Sequence, residues 1–148
     1  MTSSARLTST ELALWHQFKL VGEKVNAAVE RDILAASDLT GAEFGVLTRL
    51  VDLGDGTLRQ AELATSMRWN KSRLSHQITR MEKRGLVARA TGDSAAVAVA
   101  VAITDAGRRA LAPARPAHAA SIRTHLTERL SADQRSALAS AFESLVAE

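Results

Sequence analysis

The chain has 148 residues, 46% of them apolar, which is enough for one domain with a sizeable core. It contains no cysteine, which excludes disulfide bonds, thiolate metal sites and cysteine-based redox sensing. The net charge of +3 is modest, and there is neither an apolar run of 18 residues nor the apolar region of a signal peptide, so we expect a cytoplasmic protein with no membrane contact.

Two amphipathic helices are predicted at the start of the chain. Over residues 8–37 apolar side chains recur at spacings of three and four, behind a Thr-x-x-Glu capping box. A second capping box at Thr40 opens a helix of about three turns, which stops at the Gly-Asp-Gly of residues 54–56.

A closely linked helix pair follows. Residues 57–67 predict a short helix, and after a brief break the stretch "WNKSRLSHQITRMEKRGL" (69–86) predicts a second one with Asn70 as its N-cap. This order is typical of a helix-turn-helix. The apolar stripe of the second helix consists of Leu74, Ile78 and Met81.

Positive charge is concentrated in this helix pair. Residues 68–89 hold seven basic side chains and one acid, while the rest of the chain is slightly acidic. Such a cluster is expected of a nucleic-acid-binding face, because cations placed at phosphates release condensed counterions. A helix face that is merely solvated remains the alternative.

A β-hairpin and two further helices complete the chain. Residues 86–90 and 97–103 read as strands around a tip at 92–96, because valines and an isoleucine alternate with alanines. Thr104 then opens a long helix that Pro113 and Pro116 interrupt or kink. The last helix begins at a capping box and carries apolar residues, so that the C-terminal segment offers Leu126, Leu130, Leu138, Phe142 and Leu145 for packing.

A helix-turn-helix followed directly by a hairpin is a winged helix, and here the chain resembles the MarR family of dimeric bacterial transcription regulators. The resemblance rests on "LRQAELATSMRWNKSRLSHQITRMEKRGLVAR" and on "AITDAGR", which is similar to the family's "LT..G" after the wing. It implies a mainly α fold with a small β-hairpin, in which a winged helix-turn-helix (37–104) lies between an N-terminal dimerisation helix (1–36) and C-terminal dimerisation helices (105–148).

The resemblance further implies a homodimer that places two recognition helices in successive major grooves of double-stranded DNA, at a palindromic operator and as a repressor. The first outward residues of the recognition helix would meet base edges, with Arg73 suited to guanine and Gln77 to adenine, while Arg80 and Lys83 would contact phosphate. The predicted DNA-binding residues are Asn70, Lys71, Ser72, Arg73, Ser75, His76, Gln77, Arg80, Lys83 and Arg89. Intramolecular packing of the terminal helices is the alternative to dimerisation.

The chain departs from the family at the wing. Ala95, Ala96 and Val97 stand where the family carries an aspartate and an arginine, and Asp93 alone is charged in the tip. We therefore expect Arg89, at the base of the hairpin, to supply the backbone contact. The bare wing supports an alternative function, a protein-interaction module or a regulator with weak or lost DNA binding.

Members of the family commonly leave DNA on binding a small phenolic or other aromatic ligand in a cleft near the dimer helices. By resemblance, the lining of such a cleft would be Trp15, His16, Phe18, Phe44, Leu47, His118 and Ile122. Ordinary core positions for the aromatic residues are the alternative. His118 and His125 are two helical turns apart, too far for one ion to bridge easily, so we expect neither a metal site nor a cofactor.

No pattern indicates an enzyme. The sequence lacks a nucleophile elbow, a glycine-rich phosphate loop and a metal triad. Ser72 and Ser75 lie near His76, but neighbouring residues of a helix do not face each other, so no nucleophile meets a base there.

Overall fold

The structure, a computed structural model, describes residues 6–90 and 99–147. In these residues the chain forms six α-helices, three β-strands and one 3₁₀ turn, which confirms the mainly helical fold. The elements are α1 (Ser9–Ser37), α2 (Gly41–Gly54), β1 (Thr57–Arg59), α3 (Gln60–Met67), α4 (Lys71–Lys83), β2 (Val87–Ala90), β3 (Ala100–Ile103), α5 (Asp105–His125), the 3₁₀ turn (Thr127–Arg129) and α6 (Ala132–Val146).

The chain divides into two compact units. One, here called the central unit, is Asp32–Ala119 and contains α2, α3, α4 and the sheet. The other, the terminal unit, comprises the described residues of Met1–Arg31 and Ala120–Glu148. The domain boundaries expected at residues 36/37 and 104/105 stay a prediction, since they assign functions to segments.

The sheet of the central unit has three antiparallel strands in the order β1-β3-β2. β2 and β3 form the expected hairpin, with Arg89 opposite Val101. The strand β1 was not expected, because residues 57–67 read as one helix. Leu58 pairs with Val101 instead, and the helix starts only at Gln60. The predicted hairpin tip, with Asp93, Ala95, Ala96 and Val97, lies outside the described residues.

The core of the central unit is aliphatic. The predicted stripe of α4, Leu74, Ile78 and Met81, has no exposed surface. It packs in the same core as Leu39, Val46, Leu47, Leu50, Leu63 and Val101, which are equally buried. Because the stripe is buried, α4 has one fixed rotation about its axis, and the side chains opposite the stripe face outward.

Local capping sets the helix ends. The Thr40 hydroxyl accepts from the amide of Glu43, whose carboxylate in turn accepts from the amide of Thr40, so the predicted capping box is confirmed. The same Glu43, although buried, forms an ion pair with Arg84 at the end of α4. Arg84 also donates to the carbonyl of Asp38 at 3.2 Å. The start of α2 is therefore tied to the end of α4.

The C-terminal helices differ from expectation at one point. α5 is continuous from Asp105 to His125 and contains both Pro113 and Pro116, so of the two expectations the interruption is wrong, and a kink stays a prediction. Each proline removes one backbone donor from the helix. No residue of α6 is buried. No helix among the described residues has both the length and the apolar character that crossing a membrane requires.

Gly107 occupies a position that only glycine fits. In the sequence "AITDAGR" it packs against the backbone carbonyl of Leu86, and a Cβ there would collide with that oxygen and with Ile103.

We expect Gly107→Ala to lower the free energy of unfolding by about 1 to 3 kcal/mol, the usual cost of overpacking. Urea denaturation measures it. As the control, Gly22→Ala meets nothing within 4 Å in a helix, so it should stabilise the protein or leave it unchanged. Equal effects of the two substitutions would contradict this assignment.

Candidate functional site

The outward face of α4 is polar and cationic. Its exposed side chains are Lys71, Ser72, Arg73, His76, Thr79, Arg80 and Lys83. Six of them were predicted as DNA contacts, and Thr79 was missed. Counting in turns of 3.6 residues from Leu74 places Thr79 opposite the apolar stripe, so the sequence held the signal for it.

The start of this face is locally ordered. Asn70 caps α4, with its side-chain oxygen accepting from the amide of Arg73 at 2.8 Å. The guanidinium carbon of Arg73 lies 4.0 Å from the centroid of the Trp69 ring. The cap was the simpler of the two roles considered for Asn70, and contact with a base stays a prediction.

Gln77 does not face outward, and the expectation that it does is wrong. Its residue is only 7% exposed. The reason is helical periodicity, since position 77 falls between Leu74 and Met81 on the buried stripe. Its side-chain oxygen accepts from Arg80 at 2.6 Å, which satisfies the polar group at the edge of the core. Gln77 therefore lies at the edge of the core and holds Arg80, and its contact with adenine stays a prediction.

Arg89 also serves the interior of the protein. On α4, its guanidinium donates to the Glu82 carboxylate at 2.6 Å, to the Ser75 carbonyl at 2.8 Å and to the Thr79 hydroxyl at 3.0 Å. Its Nε donates to the side-chain oxygen of Gln60 at 3.2 Å. The Ser75 hydroxyl accepts from it as well. The expected roles of Arg89 at the DNA backbone and of Ser75 at a base are therefore not supported, because both side chains join β2 to α4.

The charge cluster divides accordingly. Two of the seven basic residues in 68–89, Arg84 and Arg89, form ion pairs with Glu43 and Glu82. The remaining five are exposed, and these are Arg68, Lys71, Arg73, Arg80 and Lys83. The surface of the helix-turn-helix thus keeps a cationic face that can meet an anionic partner.

A cavity of about 420 Å³ lies between α2 and α5 inside the central unit. The ring of Phe44 forms one wall, with its centroid 4.7 Å from that of His118 and a tilt of 39°. Arg115 donates to Asp52 at 2.6 and 3.3 Å. Arg49 donates from Nη1 to the Gly45 carbonyl at 3.0 Å. The cavity joins an aromatic wall to a polar, partly cationic one.

The electrostatics of this cavity favour an anion. Two guanidinium groups, Arg49 and Arg115, face one carboxylate, Asp52. Burial lowers the pKa of His118 below its ordinary value, and the charge of Arg115 lowers it further. His118 is therefore predominantly neutral at pH 7, so its ring can stack on an aromatic ligand or exchange one hydrogen bond with it.

Only part of the predicted ligand site is found here. Phe44 and His118 line the cavity, whereas Leu47 is fully buried in the core and offers no surface to a ligand. The other four predicted residues belong to the terminal unit and stay predictions; they are Trp15, His16, Phe18 and Ile122.

Three polar residues of the cavity, Arg49, Asp52 and Arg115, were missed. The first two follow Phe44 along one face of α2, but no local signal pairs that face with α5.

In the terminal unit, Trp15 and Phe18 stack on each other, with ring centroids 6.0 Å apart, and both are half exposed. Across residues 6–90 and 99–147 no three or more histidines and carboxylates are grouped so as to hold a metal ion.

The role assigned to Arg89 can be measured. Arg89→Ala removes hydrogen bonds to a charged group at a site that is largely shielded from water, so we expect the free energy of unfolding to fall by about 1.5 to 3 kcal/mol. Arg89→Lys keeps the charge but lacks the several N–H donors of a guanidinium, so it should recover only part of the lost stability. Lys83→Ala, at an exposed position of the same surface, should stay within about 0.5 kcal/mol. If denaturation midpoints of the Arg89 and Lys83 variants coincide, Arg89 does not join β2 to α4.

Comparison with known proteins finds winged helix-turn-helix regulators of one family. A model of the MarR family matches residues 37–95. AbsC, a MarR family transcriptional regulator from Streptomyces coelicolor, is 31% identical, with 96% of this chain and 95% of that one covered and a TM-score of 0.85. Sco3205, from the same organism and solved in complex with DNA, is 26% identical over 95% and 88% of the chains, again with a TM-score of 0.85.

A more distant structure shares the fold. The organohalide-sensing regulator RdhR-CbdbA1625, in its 2,4-dichlorophenol-bound form, is 18% identical over 98% and 84% of the chains, with a TM-score of 0.80. A search of the curated proteins found no match. The identity to AbsC over almost the whole of both chains, together with the winged helix-turn-helix and its cationic face, shows that the chain belongs to the MarR family of DNA-binding transcriptional regulators.

Proposed function

We propose that the protein acts as a homodimeric repressor, which binds a palindromic operator through α4 and leaves it when a small aromatic or phenolic ligand occupies the cavity. Residues 37–104 would supply the DNA contacts, and residues 1–36 and 105–148 the dimer contacts. Where the operator overlaps a promoter, the bound dimer would exclude polymerase from the same DNA.

The observation that carries this proposal is the exposed face of α4. Its four exposed cations, Lys71, Arg73, Arg80 and Lys83, border the polar side chains of Ser72, His76 and Thr79, which suits a helix lying in the major groove. Arg73 stands in the first turn, where recognition helices reach base edges. Arg80 and Lys83, further along, are placed for phosphate.

The terminal unit supports a dimer. No side chain of α6 is buried in the single chain, and Phe142 and Leu145 are 44% and 75% exposed. On the part of α1 that belongs to this unit, the large exposed apolar side chains are Leu12, Leu14, Trp15, Phe18, Leu20 and Val21. Intramolecular packing of these residues is the alternative. A second copy would cover them, and its two-fold symmetry would place recognition helices about 34 to 36 Å apart, one turn of DNA.

The cavity supports an aromatic carboxylate or phenol as the ligand. An aromatic ring would stack on Phe44 or His118, and a carboxylate would meet Arg49 and Arg115, whose combined charge exceeds that of Asp52. The structure of RdhR-CbdbA1625 with 2,4-dichlorophenol shows that a regulator of this fold takes such a molecule.

Arg49 offers a route from the cavity to the helix-turn-helix. Its Nε donates to the carbonyl of Ser66 at 3.3 Å, and Ser66 lies at the end of α3, directly before the turn into α4. An anion that drew this guanidinium into the cavity would release that carbonyl and change the support of the turn. Ligand and DNA would then weaken each other by the same factor, as linkage requires.

Selection of duplexes from a random pool tests operator recognition. We expect a palindrome whose affinity falls steeply with salt, and Arg73→Ala should reduce discrimination at one guanine by about 1 to 3 kcal/mol, because a bidentate contact is lost. Lys83→Ala should weaken binding to every duplex alike and lower the salt slope by about 1. Fluorescence anisotropy at two salt concentrations measures both. If no sequence is enriched and Arg73→Ala leaves DNA binding unchanged, operator recognition is rejected, and the alternative function as a protein-interaction module is favoured.

Sedimentation equilibrium tests the dimer. We expect a mass of twice 15.8 kDa for the wild type. Leu145→Glu should shift the equilibrium toward monomer, because it places a charge in an apolar interface. Leu53→Glu is the matched control, since Leu53 is 63% exposed but lies on α2 in the central unit. Equal effects of the two changes, or a monomeric wild type, would reject the dimer.

Benzoate, an aromatic carboxylate, tests the ligand and its route. Calorimetry should show saturable binding, and saturating benzoate should weaken operator binding by about 1 to 3 kcal/mol. Arg49→Gln should reduce this coupling, whereas Arg109→Gln, an exposed arginine of α5, should not. Binding with unchanged coupling in Arg49→Gln would overturn the route but keep the ligand. Absence of binding by benzoate and by 2,4-dichlorophenol would overturn the ligand class.

A further inference from the structure

The turn before the recognition helix holds a tryptophan in a defined place. Arg68 ends α3 in a left-handed conformation, with φ of 55°, and the amide of Trp69 donates to the carbonyl of Ala64 at 3.0 Å. Asn70 then caps α4. Backbone bonds on both sides therefore fix the position of Trp69, whose side chain is half-buried.

The Trp69 ring is covered by a cation of the DNA-facing surface. Arg73 is exposed, and its guanidinium carbon lies 4.0 Å from the ring centroid. When a guanidinium at this distance lies flat on the ring, its face meets the aromatic ring and its N–H donors point outward in its own plane. Those in-plane donors are the ones that form the bidentate contact to guanine O6 and N7.

We propose that Trp69 is a positioning residue for base reading: its ring holds the Arg73 guanidinium in the orientation that recognises a guanine in each operator half-site. This inference rests on the proposed operator binding and adds a residue that strengthens the discrimination made by Arg73.

The physical reason is preorganisation. A free arginine side chain samples many rotamers and loses that freedom when it binds a base. Stacking on Trp69 restricts the side chain before DNA arrives, so less freedom is lost on binding. Arg80 differs, since its guanidinium is oriented by the Gln77 oxygen, near the middle of α4. Trp69 therefore acts on one cation of the face, and its removal should affect one base pair.

A double-mutant cycle tests the proposal. The selected operator and a duplex with its Arg73-dependent guanine replaced are titrated with wild type, Trp69→Leu, Trp69→Phe, Arg73→Ala and the Trp69→Leu/Arg73→Ala double variant. We expect Trp69→Leu to lower the ratio of the two affinities by about two- to fivefold, in line with an exposed cation–π contact, and Trp69→Phe to lower it less. In the Arg73→Ala background Trp69→Leu should not change the ratio.

A second measurement works without DNA. In the free wild-type protein the ring current of Trp69 should shift the Arg73 Hδ resonances upfield, and Trp69→Leu should abolish this shift while the rest of the spectrum stays folded. Trp69→Phe serves as the folded aromatic comparison if Trp69→Leu does not fold.

The outcomes distinguish the positioning role of Trp69 from operator binding itself. If Trp69→Leu weakens all duplexes equally, or changes the ratio as much without Arg73 as with it, the residue shapes the turn or contacts DNA itself, and the positioning role is overturned while operator binding stands. If no sequence is enriched by the wild type, operator binding fails and the positioning role fails with it. A two- to fivefold loss that depends on Arg73, together with the upfield shift, supports the proposal.

Discussion

Burial of the apolar stripe of α4 determines which side chains of this protein can meet a partner. Leu74, Ile78 and Met81 have no exposed surface, and burying each of them contributes about 1.5 to 3 kcal/mol. Rotating the helix by one residue would expose part of this stripe, so its orientation is strongly preferred. The exposed cations and polar residues lie on the remaining surface of the helix, and in our proposal that surface binds DNA.

The basic residues of the segment 68–89 serve two different purposes. Arg84 and Arg89 join α4 to α2 and to β2, through Glu43, Glu82 and backbone carbonyls. Arg73 and Lys83, also on α4, face solvent and have no ion pair among those that the structure shows for Arg84 and Arg89. The two paired arginines join α4 to its neighbours, and the exposed cations without these ion pairs provide the charge of the surface, so a simple count of positive residues overstates the charge available to nucleic acid.

The cavity and the recognition helix share a structural neighbour. Arg49 lines the cavity and donates a hydrogen bond to the carbonyl of Ser66. Trp69 and Arg73, which contact each other, follow Ser66 closely along the chain. In our proposal, occupancy of the cavity therefore acts on the same turn that orients the base-reading arginine. No long chain of contacts is needed, because ligand and DNA both bias one short segment.

The sequence by itself determined the features that depend on neighbours three or four residues apart. Capping boxes placed the starts of α1, α2 and α6, Asn70 placed the start of α4, and the period of 3.6 identified its buried stripe. The quoted motifs were sufficient for the family, because a winged helix-turn-helix is a run of such local signals. The exposed position of Thr79 could have been read in the same way.

Only the tertiary structure decided what each polar side chain does. Whether Gln77 and Arg89 face DNA or the protein depends on Arg80, Glu82 and Gln60, and the strand at Leu58 exists because Val101 pairs with it. The cavity likewise joins Phe44 of α2 with His118 of α5, 74 positions later in the chain. These contacts join segments far apart in sequence, and their pairing follows from how the core packs, which no local pattern of residues encodes.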